Sequence, residues 1–323
     1  MSNDFESPWT ELNFIEREML SPMDEKLLSV GPIKWIEFPC KNENQWVGEA
    51  NKLVMDFGGI FHSVYLRWAF AINGLHVAQE HYSSDYWLKN NKPFNVIGIR
   101  NSVDGSGPKQ TVVYAPEKHD VAELHGSTIP MLSAWAFCNM YSCLEEFIFK
   151  LFRIFLNYHP LNLLKGSDFK EGRTLYRNRG KSVEDQNAWQ NYWDDRLDSW
   201  HRKKLYDGIE KVVNNLTVQS NIKIPKAYES KFNYTDVSKT LGGISLIRNC
   251  FIHGVTTVPK ELEEFCSDFR SLLFSYKEGE KFVITIHELA TFDFFTSTFL
   301  QTLNQSFFEM VCPEVTDITD KFS

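Results

Sequence analysis

The chain has 323 residues, 43% of them hydrophobic and 24% charged, which is typical of a globular protein with a sizeable core. Its 17 glycines and 12 prolines are too few for a collagen-like or wholly disordered chain. The net charge of −8 argues against a protein that coats nucleic acid through bulk positive charge, but it leaves room for a local basic patch.

Cysteine usage and the N-terminal sequence indicate an intracellular protein. No two of the six cysteines (40, 138, 143, 250, 266 and 312) are spaced as Cys-x-x-Cys, which disfavours a zinc ribbon and a secreted disulfide scaffold. The polar, acidic N-terminus lacks the basic-then-apolar pattern of a secretion signal. The longest strongly apolar stretch, 129–144, is too short to span a membrane. We therefore expect a soluble, cytoplasmic protein with no metal, no cofactor and no membrane partner.

In the first half of the chain, hydrophobic periodicity predicts a helix followed by a β-hairpin. Apolar residues recur at three- and four-residue steps from Gln45 to Gln79, as on one face of a helix. Two β-branched runs, 94–100 and 110–116, flank a turn rich in Gly, Asp, Ser and Pro, which is typical of a hairpin. No other convincing strand signal precedes the C-terminal third.

The second half of the chain predicts mainly helices. Pro130 occupies the position of a first helical turn, and 130–158 is apolar nearly all round, as in a helix at the centre of a bundle. A Ser-x-x-Asp capping pattern at Ser182 and Asp185 begins the next helix. The remaining predicted elements are helices over 182–213, 234–253 (ended by Gly254), 259–275 and 289–311, with a short strand over 281–286. The predicted fold is mostly α, a helical bundle with a small β-hairpin insertion.

Two familiar chemical motifs fail on their spacing. The tripeptide Gly-Lys-Ser at 180–182 resembles the end of a phosphate-binding loop, but Leu175 stands where the first glycine must open that loop. His76 and His81 are five residues apart, about 140° around a helix, so they do not share a face as metal-binding histidine pairs do. Neither motif therefore predicts a function.

An arginine closely followed by a histidine is the remaining candidate motif. It occurs as Arg153/His159, Arg196/His201 and Arg248/His253. Such loose pairs arise by chance in a chain of this composition, but of these three arginines only Arg248 is directly followed by an asparagine. The resulting motif Arg-Asn-x-x-x-His lies in an apolar, helical context. The first pair runs into Pro160, and the second lies in an acidic, surface-like stretch.

The stretch 246–254 (LIRNCFIHG) resembles the Arg-Asn-x-x-x-His signature of the HEPN superfamily, all-α proteins named for higher eukaryotes and prokaryotes nucleotide-binding. Many members are metal-independent ribonucleases of toxin–antitoxin, abortive-infection and CRISPR-linked systems. The resemblance puts Arg248 and His253 at the invariant catalytic positions and Asn249 at a common polar one. It also implies a homodimer with a composite site, and a toxin or anti-phage defence role.

The motif covers six residues, and the surrounding helices extend the resemblance over about 190 residues, which predicts a HEPN-like domain at 126–323. Residues 1–125 carry no comparable motif and form a predicted N-terminal accessory region, helical with the hairpin, of unknown function. Some members carry a tyrosine two residues after the histidine, which is modified to neutralise the toxin. Here that position is Val255, so this mode of control does not carry over.

These residue types suit RNA cleavage without a metal. A histidine, with its ordinary pKa near neutrality, transfers protons to or from the 2′-hydroxyl and the 5′-oxygen, and an arginine binds the phosphate. On a helix Asn249 and His253 are about 40° apart, so Asn249 would orient the imidazole or the sugar. A two-fold dimer would supply a second histidine, so that one acts as base and one as acid. The expected products are a 2′,3′-cyclic phosphate and a 5′-hydroxyl.

The RNA backbone would follow two basic segments of the chain. The segment 165–181 has six basic and two acidic residues, and 201–204 is His-Arg-Lys-Lys. The predicted RNA-binding residues are Arg173, Arg177, Arg179, Lys181, Arg202 and Lys203. A solvated loop and a charged helix face are the simpler interpretation of these segments.

Non-enzymatic interpretations of the motif also stay open. Arg248 would suit a structural ion pair, and His253 a helix C-cap before Gly254. The alternative function is therefore a catalytically inactive helical dimer that binds RNA or a protein through the same groove. An antitoxin or another regulatory protein is a further expected partner, docking on residues 1–125.

Overall fold

A computed structural model describes residues 35–38, 40, 44–89 and 93–313. Within these ranges nine α-helices and one two-stranded antiparallel sheet confirm the mostly α fold with a small β-hairpin. The elements are α1 (Gln45–Ser83), α2 (Asp85–Lys89), β1 (Val96–Asn101), β2 (Pro108–Tyr114), α3 (Asp120–Tyr158), α4 (Lys170–Asn178), α5 (Val183–Lys204), α6 (Ile209–Ser220), α7 (Tyr234–Ile252), α8 (Lys260–Cys266) and α9 (Ile286–Val311). Among them no helix combines the length and the apolar run that crossing a bilayer requires.

The chain divides into two compact units. Of the described residues, the first unit comprises those up to Val64, those of 138–282 and those from Thr291 onward, and the second comprises those of 65–137 and 283–290. Helices α1, α3 and α9 each run from one unit into the other. The predicted boundary between 125 and 126 falls inside α3, and residues 1–34 lie outside the described part, so the division into an accessory region and a HEPN-like domain stays a prediction.

Aromatic side chains from three helices form the core of the first unit. Phe57 of α1 stacks on Phe147 of α3 with ring centroids 4.3 Å apart, and Phe61 contacts Phe292 of α9 at 5.6 Å. Trp46 packs edge-on against Phe155 of α3 at 5.2 Å. These rings are almost fully buried, so the three helices share one hydrophobic core.

Two further helices pack around this core. Trp200 of α5 contacts Phe152 of α3 at 5.0 Å, and the Trp193 indole N–H donates to Asn157 Oδ1 at 2.9 Å. On α7, the buried Tyr234 hydroxyl lies 2.8 Å from Ser306 Oγ of α9. The Trp193 indole and the Tyr234 hydroxyl therefore each have a partner that helps to fix the rotation of their helices.

The second unit holds the hairpin and an aromatic cluster. The Tyr82 ring lies 4.7 Å from Trp87 of α2 and 4.8 Å from His125 of α3. Strands β1 and β2 pair in antiparallel register, with Ile99 opposite Gln110. The strands confirm the predicted hairpin, and almost all of their residues are at least partly exposed.

Three predicted helix boundaries and one predicted strand are wrong, and two of these misses have a local cause. Helix α3 begins at Asp120, ten residues before Pro130, because acidic residues in its first turn favour that start. The helix predicted over 182–213 is two helices, since Gly208 adopts φ +83° between them. The helix over 259–275 ends at Cys266 and a short 3-10 turn follows. The strand over 281–286 finds no partner strand among the described residues, and only Lys281 forms an isolated bridge.

Candidate active site

The motif lies in the last turns of α7, a helix whose start is fixed by a capping box. Asn233 Oδ1 accepts from the backbone N–H groups of Thr235 at 2.8 Å and Asp236 at 3.1 Å. The Asp236 carboxylate in turn accepts from the Asn233 N–H at 3.1 Å. This reciprocal pair satisfies N–H groups that the first turn of a helix leaves unpaired.

The end of α7 places His253 at the C-cap position. Gly254 adopts φ +67°, a left-handed conformation that favours glycine, and its N–H donates to the Phe251 carbonyl at 3.0 Å. The Val255 N–H donates to the Cys250 carbonyl at 2.9 Å, which completes a Schellman motif. The predicted end of this helix at Gly254 is confirmed. The Schellman motif fixes the backbone that carries the histidine.

Arg248 lies against α3 rather than in open solvent. Its Nη1 donates to Asn249 Oδ1 at 2.9 Å, and its guanidinium carbon is 5.4 Å from the centre of the Tyr141 ring. The buried Tyr141 hydroxyl lies 2.9 Å from Ser245 Oγ, one turn earlier on α7. The half-buried guanidinium is thus held by a cation–π contact and an amide.

A carboxylic acid of α3 lies near this arginine. Glu145 follows Tyr141 by four residues and is half-buried. Burial raises the pKa of Glu145, and the positive charge of Arg248 partly opposes that rise. Burial also raises the pKa of Tyr141 to about 12, so the phenol stays neutral. Within the described ranges no carboxylate oxygen lies within 4.0 Å of the Arg248 guanidinium, which leaves its charge available to an anion.

His253 is exposed at the end of α7, beside the exposed side chain of Ile252. Its imidazole forms no hydrogen bond or ion pair with the part of the chain that the structure describes, including Arg248. The structure therefore joins Arg248 to Asn249 and leaves His253 open to solvent. A substrate or a second copy of the chain would be needed to connect the two groups.

Cys250 lies inside the motif but is a buried packing residue. It is only 4% exposed, and burial, with the nearby Glu261 carboxylate, raises the pKa of its thiol. Because the thiolate is the nucleophilic form, this environment disfavours a catalytic cysteine.

Most of the predicted RNA-binding residues in α4 and its C-terminal turn contact neighbouring residues of the same segment. The Arg173 Nη1 donates to the carbonyls of Leu164 and Gly166, both at 2.6 Å, and closes the preceding loop. Arg177 Nε donates to the Arg173 carbonyl at 3.2 Å. The Arg179 guanidinium lies 3.7 Å from the centre of the Tyr176 ring. Lys181 is exposed.

The second basic pair lies at the end of α5 that packs against α3. Arg202 and Lys203 are exposed in the last turn of α5, next to His201, whose ring lies 4.3 Å from Phe149 of α3. Phe149 follows Glu145 by four residues, as Glu145 follows Tyr141, so all three share one stripe of α3. The distance from Tyr141 to Phe149 along the helix is about 12 Å.

The two basic sets lie at opposite ends of α5. Tyr176 of α4 packs 5.1 Å from Trp189, near the start of α5, and Arg202 comes thirteen residues later. This separation is about 20 Å along the helix axis. The six predicted RNA-binding residues therefore do not form one patch, and the α5 pair is the one beside the stripe that Arg248 contacts.

Sequence reasoning missed the two α3 residues that surround Arg248, Tyr141 and Glu145. A signal for them exists, because adjacent glutamates, 145 and 146, interrupt a stretch that is otherwise strongly apolar. A carboxylate that shares such a helix with buried neighbours is expected near a cation. The identity of that cation depends on how α7 packs on α3, which the sequence does not display.

Comparisons of the chain with models of known protein families, with curated proteins and with solved structures find no match. Within the described ranges, no three His, Cys, Asp or Glu side chains are grouped so that they could hold a metal ion. The chemistry proposed below is therefore argued from the residues around Arg248 and His253.

Proposed function

We propose that the protein is a HEPN-type, metal-independent endoribonuclease whose catalytic residues are Arg248, Asn249 and His253. The observation that carries the proposal is that Arg248 has no carboxylate oxygen within 4.0 Å among the described residues, while an exposed histidine follows it by five residues at a capped helix end. Arginine suits a phosphate and histidine suits proton transfer, so both groups have a role in cleaving a phosphodiester.

The proposed reaction is a transesterification within the RNA chain. The imidazole of one His253 removes the proton from a ribose 2′-hydroxyl, and the 2′-oxygen attacks the adjacent phosphorus. Arg248 stabilises the negative charge that develops on the phosphoryl oxygens. The bond to the 5′-oxygen breaks as that oxygen receives a proton from a second imidazole. The products are a 2′,3′-cyclic phosphate and a 5′-hydroxyl.

The second imidazole would come from another copy of the chain. His253 and Ile252 are both exposed at the end of α7, and a two-fold axis there would bring two copies of the motif together. Exposed apolar residues beside a polar site suit such a contact. Arg202 and Lys203 would then bind the RNA backbone that leads to the site.

A second candidate is a helical dimer that binds RNA or a protein without cleaving it. The absence of a hydrogen bond between Arg248 and His253 among the described residues, and the position of His253 as the C-cap of α7, favour this alternative. A role as a toxin or anti-phage effector, with an antitoxin or regulator as partner and a cytoplasmic location, follows from the HEPN resemblance alone.

The decisive experiment is RNA cleavage in excess EDTA with purified wild type, Arg248→Ala and His253→Ala. We expect the wild type to produce 5′-hydroxyl and 2′,3′-cyclic phosphate ends, identified by kinase labelling and mass spectrometry. Each variant should lose activity by about 10²-fold or more. His76→Ala, which removes an exposed histidine outside the motif, is the matched control and should cleave normally.

Other outcomes would separate the alternatives. RNA retention by the wild type without any cleavage would support the binding dimer and contradict the nuclease. Cleavage that EDTA abolishes, or that survives both motif substitutions, would contradict the proposed site. Folding of each variant is checked by circular dichroism, so that lost activity is not confused with lost structure.

A further inference from the structure

In the first unit, the short segment of described residues 35–38 and 40 lies along α9. The Ile36 N–H donates to Asn304 Oδ1 at 2.9 Å, and Asn304 Nδ2 donates back to the Ile36 carbonyl at 2.9 Å. Two residues later, the Phe38 ring packs edge-on against Phe308 with centroids 5.7 Å apart. The segment and the helix therefore advance in the same direction along one another.

Two residues of an extended chain advance by nearly the same distance as four residues of a helix. Each step of two extended residues spans about 6.6 Å, and each step of four helical residues spans about 6 Å. The contacts Ile36–Asn304 and Phe38–Phe308 obey this register, and its next step pairs Cys40 with Cys312. Cys312 continues the same helical face, because its N–H donates to the Phe308 carbonyl at 2.8 Å.

Cys40 and Cys312 are neighbours at this step of the register. Both are free and half-buried, and they lie close enough for a charge on Cys312 to add to the effect of burial in raising the pKa of Cys40. Gly48 of α1 makes room for this side chain, because a Cβ at that position would lie 3.0 Å from Cys40 Sγ. The thiol is thereby confined between α1 and the end of α9.

We propose that Cys40 and Cys312 form a reversible disulfide that clamps the segment before α1 onto the end of α9. The oxidant is a low-molecular-weight disulfide such as oxidised glutathione. One cysteine thiolate attacks a glutathione sulfur and displaces one glutathione thiolate, giving a mixed disulfide. The second cysteine thiolate then attacks the sulfur of the first cysteine in this mixed disulfide and displaces the other glutathione as a thiolate. Two protein thiols are oxidised, and one glutathione disulfide is reduced to two thiols.

The test uses the full chain, reduced, desalted and equilibrated in glutathione buffers from reducing to oxidising. Free thiols are counted by alkylation, and cross-linked peptides are identified by mass spectrometry. We expect the wild type to fall from six free thiols to four and to yield the Cys40–Cys312 peptide. Its band on a non-reducing gel should migrate faster, because the cross-link closes most of the chain into a loop.

Single substitutions test whether the cross-link joins Cys40 to Cys312. Cys40→Ser and Cys312→Ser should each keep all their remaining thiols free and show no change in migration under the same conditions. Cys266→Ser, another half-buried cysteine, is the matched control and should still form the cross-link. Thermal melting of the reduced proteins checks that every variant folds.

Three results would overturn the proposal. In the first, both thiols stay open to alkylation in the most oxidising buffer. In the second, the cysteines carry only glutathione adducts and no cross-link. In the third, the bond joins two copies of the chain, which the gel shows as a band of twice the mass. The test is independent of the proposed ribonuclease activity, because no residue of the motif takes part.

Discussion

At the scale of single residues, the environment of Arg248 balances two opposing effects. Burial disfavours the charge of Glu145, while the guanidinium of Arg248 favours it. Because the two groups are not in direct contact, Glu145 tunes the local potential without neutralising the arginine. A phosphate bound to Arg248 would therefore lie near the Tyr141 ring, which the guanidinium contacts, and near one titratable acid, Glu145.

The raised pKa of Glu145 has a consequence for stability. A carboxyl whose pKa is higher in the folded than in the unfolded state stabilises the fold at low pH, and this contribution is lost as pH rises through the folded pKa. We therefore expect Glu145→Gln to increase the free energy of unfolding at pH 7. The increase should shrink as pH falls below the ordinary glutamate pKa of about 4.3. Urea denaturation at several pH values measures it.

The neighbouring glutamate provides the control for this substitution. Glu146 is exposed and pairs with Lys150 at 2.8 Å, so Glu146→Gln should change stability by less than about 0.5 kcal/mol. If Glu145→Gln instead destabilises the protein at pH 7, attraction between the carboxylate and Arg248 outweighs the burial cost. That result would mean that folding lowers the pKa of Glu145 rather than raising it.

At the scale of elements, the sequence predicts whatever is encoded locally. The Ser182 cap, whose Oγ accepts from the Asp185 N–H at 3.1 Å, and the Gly254 stop depend on a few adjacent residues and are confirmed. The early start of α3 and the break at Gly208 were missed, although acidic residues in the first turn of α3 and the glycine itself mark them locally. The placement of Tyr141 under Arg248, by contrast, depends on which face of α7 packs against α3, and no local sequence signal shows this.

The position of α5 yields a prediction about RNA binding. Arg202 and Lys203 lie beside the α3 stripe that Arg248 contacts, whereas Arg179 and Lys181 lie near the far end of α5. We expect the double substitution Arg202→Ser/Lys203→Ser to weaken RNA binding about tenfold and to make it less salt-dependent, since two phosphate contacts are lost. Filter binding at two salt concentrations, with a catalytically inactive background such as His253→Ala, measures this.

The other basic pair is the matched control for that experiment. Arg179→Ser/Lys181→Ser removes the same charge but should leave affinity and salt dependence nearly unchanged, because the Arg179 guanidinium already stacks on Tyr176. Equal losses from the two double variants would mean that bulk charge, rather than position on α5, governs binding. The assignment of Arg202 and Lys203 as the RNA track would then fail.

At the scale of the whole molecule, the proposed chemistry depends on a second copy of the chain. One chain offers one exposed His253 in the motif, while the proposed cleavage uses one imidazole as base and one as acid. A composite site makes activity a property of the dimer, so it should respond to mixed subunits in a way that independent sites do not.

Mixing wild type with His253→Ala tests this directly. Co-expressed subunits with different tags are purified at known ratios, and light scattering confirms that the mixtures are dimeric. If each site needs two histidines, activity should follow the square of the wild-type fraction, so an equal mixture keeps about a quarter of full activity. Independent sites would keep about a half. A linear dependence, or a protein that stays monomeric while it cleaves RNA, contradicts the composite site. Mixing with His76→Ala should leave activity unchanged, because that histidine lies outside the motif.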